Sequence, residues 1–210
     1  MYNFTIPMAL VDFVPVIFFG VTAVLLLRDL YNKMFQSTYA LLAAGSVNVF
    51  LAGFCKALWK LLYAAGICNF VALEEMFMPV NSIGLLLVGL SLIGMLCCKR
   101  KDVVALSTAP AVFSGSFVFI MMMVVGLGGM CAVLSILAAK MKKKGAIILF
   151  VLSFVCAMGM GYMSSQDSTQ AWVNWVEQSI NIVSQGCLML GVLALHKASL
   201  ATYNLQEATV

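Results

Sequence analysis

Apolar residues run through this chain in long blocks separated by short polar clusters, and the length of each block decides what it can be. A membrane-spanning helix needs about 20 apolar residues. The first block runs from about Ile6 to Leu27, holds Asp12 and Pro15, and is followed by Arg28, Asp29 and Lys33. The second covers Thr38 to about Ala65 and carries Lys56, Trp59 and Lys60 near its end. A third, from about Met76 to Cys98, follows Glu74 and Glu75 and stops at Lys99, Arg100 and Lys101. The last two blocks are Gly145 to about Tyr162 and Trp172 to about Leu195, joined by a polar loop around Ser164, Ser165, Gln166 and Asp167.

The stretch from Asp102 to Lys140 reads either as one span behind a leading loop or as two short spans. Breaks are available at Pro110, at Ser114-Gly115-Ser116 or at Gly126-Leu127-Gly128-Gly129. Charge arbitrates between them. With two crossings, Arg28, Lys33, Lys99 to Lys101, Lys140, Lys142 to Lys144 and Lys197 all share one side, as the positive-inside rule requires. The expected fold is therefore all-α, a polytopic transmembrane helix bundle. Seven spans are favoured over six, with the N-terminus outside and the C-terminus in the cytoplasm. Residues 1–210 form a single transmembrane domain with a short cytoplasmic tail at 198–210. The first apolar block has no basic residue before it and no small-x-small cleavage site after it, so it reads as a retained span.

Spans one to three and the last three also echo each other. Glu74, Glu75 and Asn81 occupy places like those of Asn174, Glu177 and Asn181. Two such units share an orientation only when an odd number of crossings joins them, which gives a three-plus-one-plus-three plan.

Composition agrees with lipid as the solvent. Hydrophobic residues make up 63% of the 210 and charged residues 10%, against roughly 45–50% and about 25% in soluble domains. The net charge of +4 comes from clusters between apolar blocks, so it serves topology and nucleic-acid binding is not expected. Seven cysteines lack paired spacing and His196 is the only histidine, which argues against a disulfide framework, a metal centre or a cofactor. No nucleophile elbow, zinc-binding helix or phosphate loop is present, so catalysis is not expected, and an intramembrane lipid-modifying enzyme ranks third among the readings.

Polar side chains inside spans carry the functional signal. A central charge costs about 2.5–3.5 kcal/mol to insert, so such groups face protein or water. At 100° per residue, Gly45, Asn48, Ala52, Lys56 and Lys60 fall within an arc of about 120°. Asn174, Glu177, Gln178, Asn181 and Gln185 fall within about 100°. Counted along the helix, Asp12, Lys56, Asn81 and Glu177 all lie about 24–28 Å from the basic ends of their spans, with Asn48 and Gln185 deeper. Asp12 stands three residues before Pro15, whose missing N–H frees the Val11 carbonyl in the same turn.

The plainer readings are snorkelling lysines, an aromatic belt of Trp59, Trp172 and Trp175, and amides that only cross-link helices. The sharper reading is an outward-facing polar cavity lined by Asp12, Asn48, Lys56, Asn81, Glu177, Asn181 and Gln185, which binds or transports a small polar or cationic solute. The alternative is a sensor, receptor or accessory subunit with the same cavity and no transport. The partners implied are the lipid bilayer and a small solute, with room for a homo-oligomer. The expected location is a bacterial plasma membrane.

Overall fold

The structure, a computed structural model, describes residues 5–97, 116–163 and 171–203, and within them every regular element is a helix. A short helix α1 (Ile6–Val11) leads into α2 (Phe13–Leu30). Asp12 interrupts the two at the point where Pro15 cannot donate to the Val11 carbonyl. Helix α3 (Gln36–Ala64) ends where Gly66 takes φ +67°, with the Ile67 N–H reaching back to the Leu62 carbonyl at 3.1 Å. Then come α4 (Ala72–Glu75), α5 (Phe77–Cys97), α6 (Ser116–Lys140), α7 (Lys144–Met163) and α8 (Ala171–Lys197).

Five segments are long and apolar enough to cross a membrane: Ile6–Leu30, Gln36–Ala64, Ala72–Cys97, Phe117–Lys140 and Trp172–Lys197. Helix α7 is apolar too, though shorter in its apolar part. Large hydrophobic side chains also face outward along these helices, Val24 at 65% exposed and Ile148 at 68% among them. A surface of that kind marks an integral membrane protein.

Helix α6 corrects one expectation. It passes without a break through Gly126, Leu127, Gly128 and Gly129, so no chain reversal occurs there. Pro110, Ser114-Gly115 and the polar loop around Ser164 to Asp167 lie outside the described residues. Trp59 is a second correction. It is 1% exposed and donates from Nε1 to Asn69 Oδ1 at 3.1 Å, so it anchors a loop inside the protein and is not part of a belt.

Six helices form a closed circuit of neighbours: α2 packs on α3, α3 on α5, α5 on α6, α6 on α7, α7 on α8, and α8 returns to α2. Contacting residues give the direction of each pair. Gly45 meets Gly84 and Thr38 meets Gly94, so α3 and α5 are antiparallel. In contrast, Asn81 meets Met123, Gly89 meets Gly126 and Ile93 meets Gly129, so α5 and α6 run the same way. Helices α2 and α8 are also parallel, through Phe18 with Gly186 and Asp29 with His196. The circuit is thus two three-helix halves, α2-α3-α5 and α6-α7-α8, of like direction, meeting at two parallel seams.

Charge divides the bundle lengthwise. Arg28, Lys33, Lys140, Lys142, Lys143, Lys144 and Lys197 gather at one end, while Asp12, Lys56, Lys60, Glu74, Glu75 and Glu177 occupy the other. The interior changes with them. Toward the basic end it is a solid apolar core, with Leu30, Leu92, Leu134, Leu137, Phe150, Leu188, Val192 and Leu195 all fully buried.

The α5–α6 seam depends on missing side chains. A Cβ added to Gly89 would stand 2.4 Å from the Gly126 carbonyl oxygen, closer than real Cβ contacts ever come. Forcing extra volume into a packed contact costs about 1–3 kcal/mol. The Gly89→Val protein is therefore expected to melt at lower temperature in detergent, while Gly145→Ala, where a Cβ meets nothing within 4 Å, melts like the unaltered chain. Equal melting of the two variants would mean that the seam is not this close.

Candidate functional site

The interior stripe of α8 reads Asn174, Gln178, Asn181, Gln185, Leu188, Val192, Leu195, at helical spacing. Its outer half is amide and its inner half aliphatic. Asn174 and Gln178 are buried, Asn181 and Gln185 half-buried, and Leu188, Val192 and Leu195 fully buried. Helix α5 follows the same course from Asn81, 7% exposed, to Leu85, Val88 and Leu92. Helix α3 does so from Lys60 and Lys56 through Ala52 to Leu42. On α1 and α2 the stripe runs from Asp12 to Phe19, Ala23, Leu26 and Leu30.

At the polar end, Asp12 and Lys60 form an ion pair. Lys60 Nζ lies 2.8 Å from Asp12 Oδ2, with the side chains 12% and 8% exposed. Pairing lets two charges sit where lipid alone would reject them. One turn further in on α3, the Lys56 ammonium stands over the Phe77 ring at 4.2 Å from its centre. No carboxylate among the described residues reaches Lys56 at ion-pair distance, although the charges of Glu177, Asp12 and Glu74 all act on it. Glu177 is half-buried on α8 and also acts electrostatically on Asp12. The charges of α1, α3, α4 and α8 therefore share one neighbourhood.

Not every residue singled out from sequence joins it. Asn81 donates from Nδ2 to the Met123 sulfur at 3.9 Å, across the α5–α6 seam. That long contact to a weak acceptor leaves most of the amide's capacity unused. Asn48 is half-buried on α3, about 12 Å of helix rise below Lys56, and belongs to the transition toward the apolar core. Asn181 and Gln185 continue the α8 stripe downward, and Gln185 Oε1 is buried without a hydrogen-bond partner. Gln178, 5% exposed, also leaves Nε2 without an acceptor among the described residues.

The opposite end holds a contact that the sequence reading does not contain. His196 places Nδ1 at 2.9 and 2.8 Å from the two carboxylate oxygens of Asp29, which is 2% exposed. The pair joins α2 to α8, one from each half. Beside it, Lys33 donates to the Tyr203 carbonyl and the Tyr203 hydroxyl donates to the Lys140 carbonyl at 3.3 Å. Burial holds the Lys33 pKa below the ordinary lysine value, against the opposing pull of the Asp29 carboxylate. Only the spatial order of the helices brings these groups together.

Comparison with known proteins adds no assignment: no family model, curated protein or solved structure matches the chain. The site therefore stands on its own geometry. Among the described residues no group of three His, Cys, Asp or Glu side chains is arranged to hold a metal ion.

Removing one partner of a buried ion pair leaves an uncompensated charge, at a cost of about 3–5 kcal/mol. Asp12→Ala is thus expected to destabilise the protein by that order, and adding Lys60→Met to it should restore most of the loss. A double variant no more stable than the single one would show that the two side chains are not energetically coupled.

Proposed function

We propose that this chain is a multi-pass membrane protein that binds a small polar solute in the charged cluster around Asp12, Lys56 and Glu177 and carries it across the membrane. The observation that carries this reading is the change of character along the interior stripes, from ionic and amide groups at one end to sealed hydrocarbon at the other. Structural cross-linking alone would not place charges of four elements in one neighbourhood while leaving buried amide atoms unmatched. A solute site needs both features, because polar atoms that await a ligand must be held ready inside the protein.

The parallel seams support movement. Two three-helix halves of like direction, meeting at α5–α6 and α2–α8, match the plan on which rocking of one half against the other exposes a site to alternate sides. Because α5 and α6 run the same way, an odd number of crossings has to join the two halves. We read this as a single crossing, the fourth of seven. Six crossings would make α5 and α6 antiparallel. By the positive-inside rule, the gathering of basic residues supports a cytoplasmic basic end and an outer Asp12 end.

A second reading keeps the site and drops the transport. The apolar core beneath Gln185 is closed, and a sensor that binds without turnover has no need to open it.

Orientation is testable with the chain's own thiols. Cys68 lies exposed in the loop beyond α3, and Cys97 lies exposed at the basic end of α5. In intact cells, a membrane-impermeant maleimide should label a variant that keeps only Cys68 and spare one that keeps only Cys97. The reverse pattern would invert the topology.

Function is testable in proteoliposomes with a panel of labelled amino acids, amines and sugars. Transport predicts that at least one of them accumulates, and that Glu177→Gln abolishes the accumulation. Ligand-induced thermal stabilisation without flux would select the sensor. With neither flux nor stabilisation, both readings fail.

A further inference from the structure

The outer cluster sorts its groups into those that satisfy each other and those that do not. Asp12 and Lys60 offset each other's charge at 2.8 Å, although Asp12 Oδ2 takes no well-angled hydrogen bond among the described residues. Among the described residues Lys56 meets no carboxylate at ion-pair distance, and its ammonium stands over the π-face of Phe77, at 4.2 Å. Such a contact is worth about 0.5–2 kcal/mol, a weaker hold than a carboxylate gives, so an arriving anion could take the ammonium from it. Gln178 is 95% buried, and its Nε2 has no acceptor among the described residues. These two donors lack an acceptor. On the other side of the account, Glu177 has no cation at ion-pair distance among the described residues, and Gln185 Oε1 is buried without a donor.

Charge balance narrows the occupant. Asp12, Lys60, Lys56 and Glu177 are two lysines and two carboxylates, and Glu74 on α4, whose charge also acts on Lys56, adds a third carboxylate. In a low-dielectric interior, adding a net charge costs far more than adding a dipole whose two ends are both met. A monocation would satisfy Glu177 but leave Lys56 unmatched and repelling it. A monoanion would do the converse. A solute that carries one charge of each sign meets both sets and adds no net charge to the cluster.

Resting on the solute-binding reading above, we propose that the cluster is a site for a small zwitterion of the amino-acid or betaine type. Its anionic group is received by Lys56 Nζ and Gln178 Nε2, and its cationic group by the Glu177 carboxylate. Gln185 Oε1, two turns below Gln178 on the same face, accepts from a polar group on the inner side of the solute.

The test uses the purified full-length chain in detergent and reads thermal stabilisation by three matched probe sets. These are the common α-amino acids with glycine betaine, the corresponding amines that lack the carboxylate, and the corresponding acids that lack the amine. The proposal expects at least one zwitterion to raise the melting temperature in a saturable way, with its matched amine and acid at least about thirtyfold weaker, the loss expected for deleting one partner of an enclosed charge pair. Lys56→Met should weaken the zwitterion to a similar degree, and Lys56→Arg should retain most of the binding. Lys56→Met removes an enclosed charge, so it is not expected to harm folding, and its melting temperature without probe checks this.

If an amine stabilises as well as its zwitterion, and Lys56→Met leaves that unchanged, the zwitterion assignment is overturned while solute binding stands. If none of the three sets stabilises the protein, the assignment falls, and flux of sugars in the proteoliposome panel then decides separately whether solute binding survives.

Discussion

Hydrocarbon offers no hydrogen bonds and little screening, and that one property of the solvent organises the molecule. Each charged or amide side chain carried into a span has to be met by protein. The Asp12–Lys60 pair is the clearest case, because it ties the interruption between α1 and α2 to the far end of α3. Once that contact exists, Lys56 is directed inward on the same face, and the polar stripe of α8 has a counterpart to face. The apolar residues follow the opposite rule. They are free to point either way, and they fill the inner core and the outer surface alike.

Much of this can be read from residue order, since helical periodicity is a property of the chain and not of its neighbours. The span lengths follow from counting apolar residues, and the faces of α3 and α8 from steps of 100°. Partner choice does not follow, because it depends on which helices become adjacent. Asp29 and His196 are 167 residues apart, and each looks like an ordinary polar residue at the end of an apolar block. Trp59 looked interfacial because tryptophan often is, yet the loop residue Asn69 gives its indole N–H a partner inside the protein. The run from Gly126 to Gly129 looked like a break because glycine disfavours helices in water. In the bundle, two of those glycines are what lets α6 lie against α5, and close contact between helices outweighs intrinsic propensity.

The two seams between the halves are built differently. At α5–α6, backbone meets backbone: a Cβ on Gly126 would fall 2.4 Å from the Leu85 carbonyl carbon, and one on Gly89 as close to Gly126. At α2–α8 the nearest approach at Gly186 is the edge of the Phe18 ring, with an added Cβ 3.5 Å away in ordinary contact. A tight backbone seam resists separation but allows rotation about the point of contact, while a seam of side chains can repack. Relative motion of the halves would therefore pivot at α5–α6 and open at α2–α8.

The basic end holds directed polar contacts beside the α2–α8 seam. Ser199, at φ +63°, ends α8 in a tight left-handed turn in which the Leu200 N–H returns to the Leu195 carbonyl at 3.1 Å. That turn buries Leu200 completely and brings Tyr203 between Lys33 of the first half and Lys140 of the second. The Lys33–Tyr203 and Asp29–His196 contacts cross the α2–α8 seam where the apolar core meets the basic surface, and Tyr203–Lys140 ties the same turn to α6. Hydrocarbon packing beneath them is strong but indifferent to register, so it cannot by itself hold one arrangement of the halves against another. Directed polar contacts can, because each is lost over about an ångström of displacement. The closed inner end is thus defined by a few polar contacts near its rim, set over a core that resists water, while the unmatched charges wait at the far level of the same interior.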